Sequence, residues 1–356
     1  MTTLNPKKRN LIPKNPIMKL RIISCFIFAL FLFSGCTLFD GSGQAKVIGG
    51  ANEVLVVCEQ NIWNGPGGDS IRSVLNSPML GLPQIEPSFD IVHRTPTGFK
   101  GSYTSHRNVL LVNIDPDANN GMSVRHNLWA DSQVVVQLFA KDNNDILTIL
   151  GKDHEALSNL LIKAERARMS DIYKKSKDLS IARAIENQFG INIDIPRGWV
   201  LDKREKGFVW LTMEERKATS HLMIWEYPYI SESQLSPQSL INIRDSIAAI
   251  NVPGANEGSY MTTEKEFIPT YTEESYNNNY IAKLQGLWKM HNYIMGGPFV
   301  QISTVDTKTN RIITVEGFVF APSTEKRNYV RRLEAILYSL SLEKENPDNE
   351  NEISAL

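Results

Sequence analysis

The apolar run from Ile22 to Phe33, broken only by Ser24, constrains this chain most, because it stops at Ser34, Gly35 and Cys36. It has about half of the roughly 20 residues that a membrane-crossing helix needs. Lys7, Lys8, Arg9, Lys14, Lys19 and Arg21 precede it, and no acid occurs before Asp40. A basic segment, a short apolar segment and small residues at its end make a secretory signal. Met18 opens MKLRIISCFIFALFLFSGC, a complete signal, so translation is expected to begin there. Residues 1–35 are then removed, and whatever follows must fold outside the cytoplasm.

The ending Ser34-Gly35-Cys36 resembles the lipobox of bacterial lipoproteins, with Phe33 where Leu is usual. That resemblance implies cleavage before Cys36 and acylation of its thiol and new amino group. Each buried methylene contributes about 0.8 kcal/mol, so two or three acyl chains hold a protein on a bilayer durably. Residues 36–45 read as a lipidated tether containing Gly41 and Gly43. A flexible tether of about ten residues reaches on the order of 17 Å. Thr37 is not the acidic residue that retains many lipoproteins at the inner membrane, so the periplasmic face of an outer membrane is the expected address. The bilayer, through acylated Cys36, is the first expected partner.

The sequence has 38 Lys and Arg against 39 Asp and Glu. Six of the bases and none of the acids precede Cys36, which leaves 32 against 39, a formal charge of −7, on a chain beginning at Cys36. Tracking a phosphate backbone requires concentrated positive charge, so no nucleic-acid partner is expected. Of the three cysteines, Cys25 lies in the signal and Cys36 is the expected acylation site. Cys58 alone remains, in the apolar EVLVVC, and reads as a buried thiol. Without an internal disulfide, stability must come from packed cores, and roughly 320 residues suffice for two ordinary domains.

The first domain is expected over 46–189. EVLVVC (53–58) reads as a strand buried on both faces, and GGDSIRSVLNS as a helix turning Ile71, Val74 and Leu75 inward. FDIVH (89–93), NVLLVNI (108–114), SVRHNLWA (123–130) and QVVVQLFA (133–140) read as further strands. A helix follows from Asp142, with Asp153 as a candidate cap and a continuation to Phe189, stopped by Gly190. The second domain is expected over 190–342, where EKGFVWLTMEE and SHLMIWEYPY alternate like antiparallel strands. Pro237–Ile250 reads as a helix, three more strands follow, and Ser323 is the expected cap of a last amphipathic helix. Residues 343–356 form an acidic, polar tail expected to be disordered. The expected class is α+β, two domains each with a mostly antiparallel sheet packed with helices.

The chemical motifs are few. WNGPGGDS (63–70) places Trp63, Gly65, Gly67 and Gly68 between a strand and a helix, where free amides can meet phosphate. It lacks the lysine of a P-loop and the spacing of a dinucleotide fingerprint, so a tight turn is the plainer reading. DPDANNG (115–121) starts like a calcium loop, but Asn120 and His126 stand where glycine and a bidentate glutamate belong. The six histidines have no metal-site spacing, although His93, His106 and His126 could meet across strands. Neither a metal nor a cofactor is expected. Glu214–Glu215 and Glu273–Glu274 are adjacent pairs, which a strand points to opposite faces. The aromatic residues Trp63, Trp288, Tyr271, Tyr276, Tyr280 and Tyr293 lie among polar or glycine-rich neighbours. Such rings stack on sugars or on partner side chains, and Trp63, Trp288 and Tyr293 join the three glycines as candidate ligand-binding residues.

The second half, opening with IPRGW and closing with a helix, is similar in pattern to the Mog1 and photosystem-accessory α/β/α sandwich. More broadly, VLVVCEQNIWNGPGGDSIRSVL, GLPQIEPSFDIVH, HRNVLLVNID and FVFAPSTEKRNYVRRLEAILYSL resemble an uncharacterised lipoprotein family of Bacteroidota, a domain of unknown function. The resemblance implies an exported, lipidated protein and supplies no catalytic residues. A membrane-anchored envelope protein that binds a protein or glycan is therefore expected. The competing expectation is a periplasmic hydrolase acting on glycan or peptide.

Overall fold

The computed structural model describes residues 44–276 and 279–342. The signal, Cys36, the tether through residue 43 and the tail from residue 343 lie outside the described residues.

The first sheet contains β1 (Glu53–Val57), β2 (Asp90–Arg94), β3 (Asn108–Ile114), β4 (Gly121–His126) and β5 (Val134–Ala140). Their order is β2-β1-β3-β5-β4. β1 pairs parallel with β2 and with β3, and β3 pairs parallel with β5, while β4 runs antiparallel to β5. The α+β class holds, but this sheet is mostly parallel where an antiparallel one was expected. Parallel neighbours need crossovers of a dozen or more residues, and residues 58–89 between β1 and β2, 58–107 between β1 and β3 and 115–133 between β3 and β5 provide them. Val54, Leu55, Val56 and Val57 are all buried, as in a strand covered on both faces.

α1 (Pro66–Leu75) and α2 (Asn143–Lys175) cover one face of this sheet. There Ile71, Leu75, Ile146, Leu157 and Leu161 pack with Val54, Val56, Leu110, Val136 and Leu138. Phe99 and Tyr103, at two short 3-10 turns, lie against Leu55, Val57, Val109 and Val135 on the other face. Asp142 opens α2 by accepting the amides of Asn144 and Asp145. Asp153 is therefore not the start of the helix; it sits at a kink inside it, with φ −116° and ψ 20°. The expected continuation to Phe189 is in fact a second helix, α3 (Leu179–Phe189). Asp178 restarts it by accepting the amides of Ser180 and Ile181, and Gly190, at φ +63°, closes it, a conformation that suits glycine at a helix end.

The second sheet is antiparallel throughout. It contains β6 (Val200–Glu205), β7 (Phe208–Glu215), β8 (Ala218–Pro228), β9 (Tyr260–Thr263), β10 (Thr270–Tyr276), β11 (Asn279–His291), β12 (Tyr293–Asp306) and β13 (Arg311–Phe320). The order is β9-β11-β12-β13-β8-β7-β6. β11 is long enough to pair with β10 along its first half and with β9 along its last four residues. α3 and α5 (Arg327–Leu337) cover one face, through Ile181, Ile185, Phe189, Val330, Leu333 and Leu337. α4 (Pro237–Asn251) covers the other, through Leu240 and Ala248 against Met223, Trp225, Leu284 and Phe299. The layers are α/β/α.

Ser323 does not cap α5. It lies four residues before the helix, at φ +62°. The buried carboxylate of Glu86, from the first region, instead accepts the amides of Lys326 at 2.7 and 3.0 Å and of Arg327 at 2.8 Å. The described residues from Lys46 to Leu342 belong to one compact unit.

Candidate functional site: a cleft of tyrosines and glutamates

The glycine-rich loop is packed shut. Gly65 is the residue before α1, and Gly67 and Gly68 are buried in its first turn. A Cβ on Gly68 would lie 2.1 Å from the Trp63 carbonyl oxygen, and one on Gly67 would lie 2.6 Å from Asn143 Oδ1. The Gly67 amide already donates to Asn143 Oδ1 at 3.1 Å. These glycines permit a close approach between α1, the preceding turn and α2. Trp63 stacks flat on His93 with centroids 4.5 Å apart, and the Arg72 guanidinium lies 4.4 Å from its ring. Trp288 is 2% exposed and donates to the Val319 carbonyl at 3.2 Å inside the second core. Tyr293, at the start of β12, is 42% exposed. Trp63 and the three glycines thus lie beside the first sheet, and Trp288 and Tyr293 lie in the second.

The histidines are dispersed. His93 is on β2 and His126 on β4, at opposite edges of the first sheet, so the three do not meet across neighbouring strands. His106 is buried against Glu53 Oε1 at 2.6 Å. Burial raises the Cys58 thiol to about 11, which keeps it protonated and poorly nucleophilic at neutral pH. The loop after β3 folds on itself, the Asp117 amide donating to Asp115 Oδ1 at 3.0 Å. It shares a crevice of about 780 Å³, lined by both polar and apolar side chains, with Glu59, Asn61 and Pro96. That crevice lies at the carboxyl ends of β1 and β3.

A second cleft, of about 740 Å³, opens in the second region. Three separate segments build it. Tyr229 follows β8, and its amide is held by the Asn310 carbonyl at 3.1 Å. The 3-10 turn Glu232–Leu235 comes next, fixed by a capping box between Ser231 and Gln234, and it presents Glu232 and Leu235. β10 supplies Tyr271 and Glu273, two residues apart and so on one face of the strand, and β11 supplies Tyr280. Val305, near the end of β12, also lines it.

The phenol tips converge. The Tyr271 hydroxyl donates to Glu273 Oε1 at 2.7 Å and lies 3.2 Å from the Tyr280 hydroxyl. Burial, the hydrogen bond with Tyr280 and the contact with Glu273 together push the Tyr271 phenol well above its ordinary range. Burial first, then the field of Glu273 and Glu232, raises Tyr280 too, against an opposing hydrogen bond from Tyr271. Both phenols stay neutral at physiological pH. Glu274, next to Glu273, faces the other way and accepts from the hydroxyl of Tyr338, the residue that follows α5. Alternation on the strand thus places one glutamate in the cleft and its neighbour under a helix.

This arrangement can stack a ligand on tyrosine faces and accept its donors through carboxylates and hydroxyls. Among the residues lining it there is no histidine, lysine, arginine or cysteine. Tyr271 and Tyr280 are recognisable in the sequence from their polar surroundings. Tyr229 and Glu232 carry no local signal, since only the chain reversal after β8 brings them to the cleft.

Residues 47–174 match the family described as a domain of unknown function (DUF8532), and residues 178–339 match another domain of unknown function (DUF4837). No curated protein matches in sequence. Among solved structures, the Ran-binding protein Mog1p of Saccharomyces cerevisiae is 8% identical, with a TM-score of 0.30 over 43% of this chain and 92% of that one. LpqN, involved in cell envelope biogenesis of Mycobacterium tuberculosis, is 11% identical, with a TM-score of 0.27 over 42% and 82%. Human STARD10 is 10% identical, with a TM-score of 0.23 over 50% and 85%.

Proposed function

We propose that this protein is a lipid-anchored component of the cell envelope that binds a protein or glycan partner in the tyrosine and glutamate cleft. In this reading, acylated Cys36 holds the chain on the periplasmic face of the outer membrane. The apolar run ending at Ser34-Gly35-Cys36 supports the anchor. The observation that carries the binding role is the convergence of Tyr229, Tyr271 and Tyr280 with Glu232 and Glu273 around one open cavity. Clefts of several hundred cubic ångström with apolar walls and a few placed polar groups are where ligands bind.

Two experiments test the two halves. Replacing Cys36 with alanine is expected to abolish fatty-acid labelling and to release the protein from the membrane fraction; labelling that persists would remove the anchor. Affinity capture from the native envelope is expected to recover a partner or glycan that is lost with Tyr271→Ala or Tyr280→Ala. Capture that ignores both substitutions, or hydrolysis of a cell-wall fraction by the purified protein, would overturn the binding role.

A further inference from the structure

The cleft is unusual in its charge. The segments 229–237, 271–276, 279–280 and 305–307, which supply its walls, contain no lysine, arginine or histidine. Several other carboxylates on or beside the second sheet have cationic partners: Glu226 and Asp306 share Arg311, Glu215 holds Arg332, and Glu264 holds Lys289. Among the described residues no lysine or arginine is paired with Glu232 or Glu273. Their negative charge therefore remains uncompensated at the cleft.

The lining offers an anion no cationic side chain. The start of α4 borders the cavity, but Pro237 has no amide to offer and the Ser236 hydroxyl already accepts from the Ser239 amide. A cation does have a foothold. The faces of tyrosine rings attract ammonium and guanidinium groups, and two carboxylates add charge in the same direction. Leu235, Pro237 and Val305 offer apolar wall for an aliphatic stem. The cavity is several times larger than one side chain needs, which leaves room for the residues flanking it.

Resting on the binding role proposed above, we infer that the cleft recognises a basic side chain, lysine or arginine, presented by a peptide segment of a protein partner. Its charged head sits among Tyr229, Tyr271 and Tyr280, facing Glu232 and Glu273, and its stem lies along Leu235 and Val305.

The test uses the full chain and four probes: a lysine-rich peptide, the same peptide with acetylated lysines, spermine, and a neutral oligosaccharide of N-acetylglucosamine. The lysine peptide is expected to bind and its acetylated form is not. Glu232→Gln and Glu273→Gln are each expected to weaken binding about fivefold, the scale of losing one favourable charge interaction. Glu155→Gln, on the exposed surface of α2, is expected to leave binding unchanged and so controls for net charge. Equal binding of the acetylated peptide, or indifference to both glutamine variants, overturns the inference. Binding of spermine alone overturns the protein source. If the neutral oligosaccharide binds in a manner that Tyr271→Ala and Tyr280→Ala abolish while the lysine peptide does not bind, the cationic inference fails and the cleft stands. If no probe responds to any cleft variant, the cleft itself fails as the binding site.

Discussion

His221 lies between Trp210 and Phe318, its ring stacked on the latter at 4.4 Å, with Trp210 Nε1 donating to its Nδ1 at 3.2 Å. Burial lowers its pKa from 6.5 to about 4, against a small opposing pull from Asp202. The unfolded chain therefore takes up this proton first as the pH falls. Stability from His221 is complete above about pH 6.5 and is lost progressively as the pH falls toward 4, by up to about 3 kcal/mol. Urea unfolding between pH 8 and pH 4 is expected to show that slope and to lose it in His221→Gln; parallel profiles for the two proteins would contradict the depressed value. Nothing local in SHLMIWEYPY announces this. Alternation places His221 on one face of β8, but only the register against Thr212 and Phe318 shows that the face is packed.

Helix starts separate what neighbouring residues decide from what distant ones decide. Asp142, Asp178 and Ser236 each cap the helix that begins one residue later, within reach of a reading along the chain. α5 has a distant cap. Its first free amides are taken by Glu86, some 240 positions away, and Ser323, the residue with the right chemistry close by, has no such role. Removing the Glu86 carboxylate leaves buried amides without an acceptor, which costs about 1–3 kcal/mol for a buried polar group. Glu86→Ala is accordingly expected to destabilise the protein by that order, and Ser323→Ala by less than about 0.5 kcal/mol. Chemical denaturation of the two variants decides the matter, and equal effects would return the cap to Ser323. The same distinction explains the first sheet. Its apolar runs mark strands buried on both faces, yet strand direction depends on how residues 58–89 and 95–107 cross over, which no short window contains.

At the scale of the whole molecule, the two regions that match separate families are joined through α5. Arg327 reaches Asp90 Oδ2 at 2.6 Å and the Pro87 carbonyl at 2.8 Å, and Asn52 donates to Asn328 at 2.8 Å. The Arg166 guanidinium of α2 lies 3.4 Å from the ring centroid of Tyr338. Arg327 is buried while its partner Asp90 is half-exposed, so truncating the aspartate or the arginine leaves a polar group at this junction without its partner. Calorimetry is therefore expected to record one cooperative transition spanning both regions, shifted to lower temperature in Arg327→Ala. Two resolved transitions in the parent protein would show that the regions unfold independently.

By itself the sequence determined the features set by a few consecutive residues. These are the apolar run ending at Cys36, the amphipathic faces of the helices, the alternation of the second sheet and the start of α2 at Asp142. Periods of two and 3.6 residues are local properties, readable wherever a face is to be buried. Tertiary structure alone decided the strand order and direction of the first sheet, the cap of α5 and the cleft. Each depends on groups that are far apart in the chain and become neighbours only when burial of apolar surface closes the loops between them. Tyr229, Tyr271 and Tyr280 meet for that reason, and so Glu232 and Glu273 come to share one opening with no lysine or arginine paired to either among the described residues.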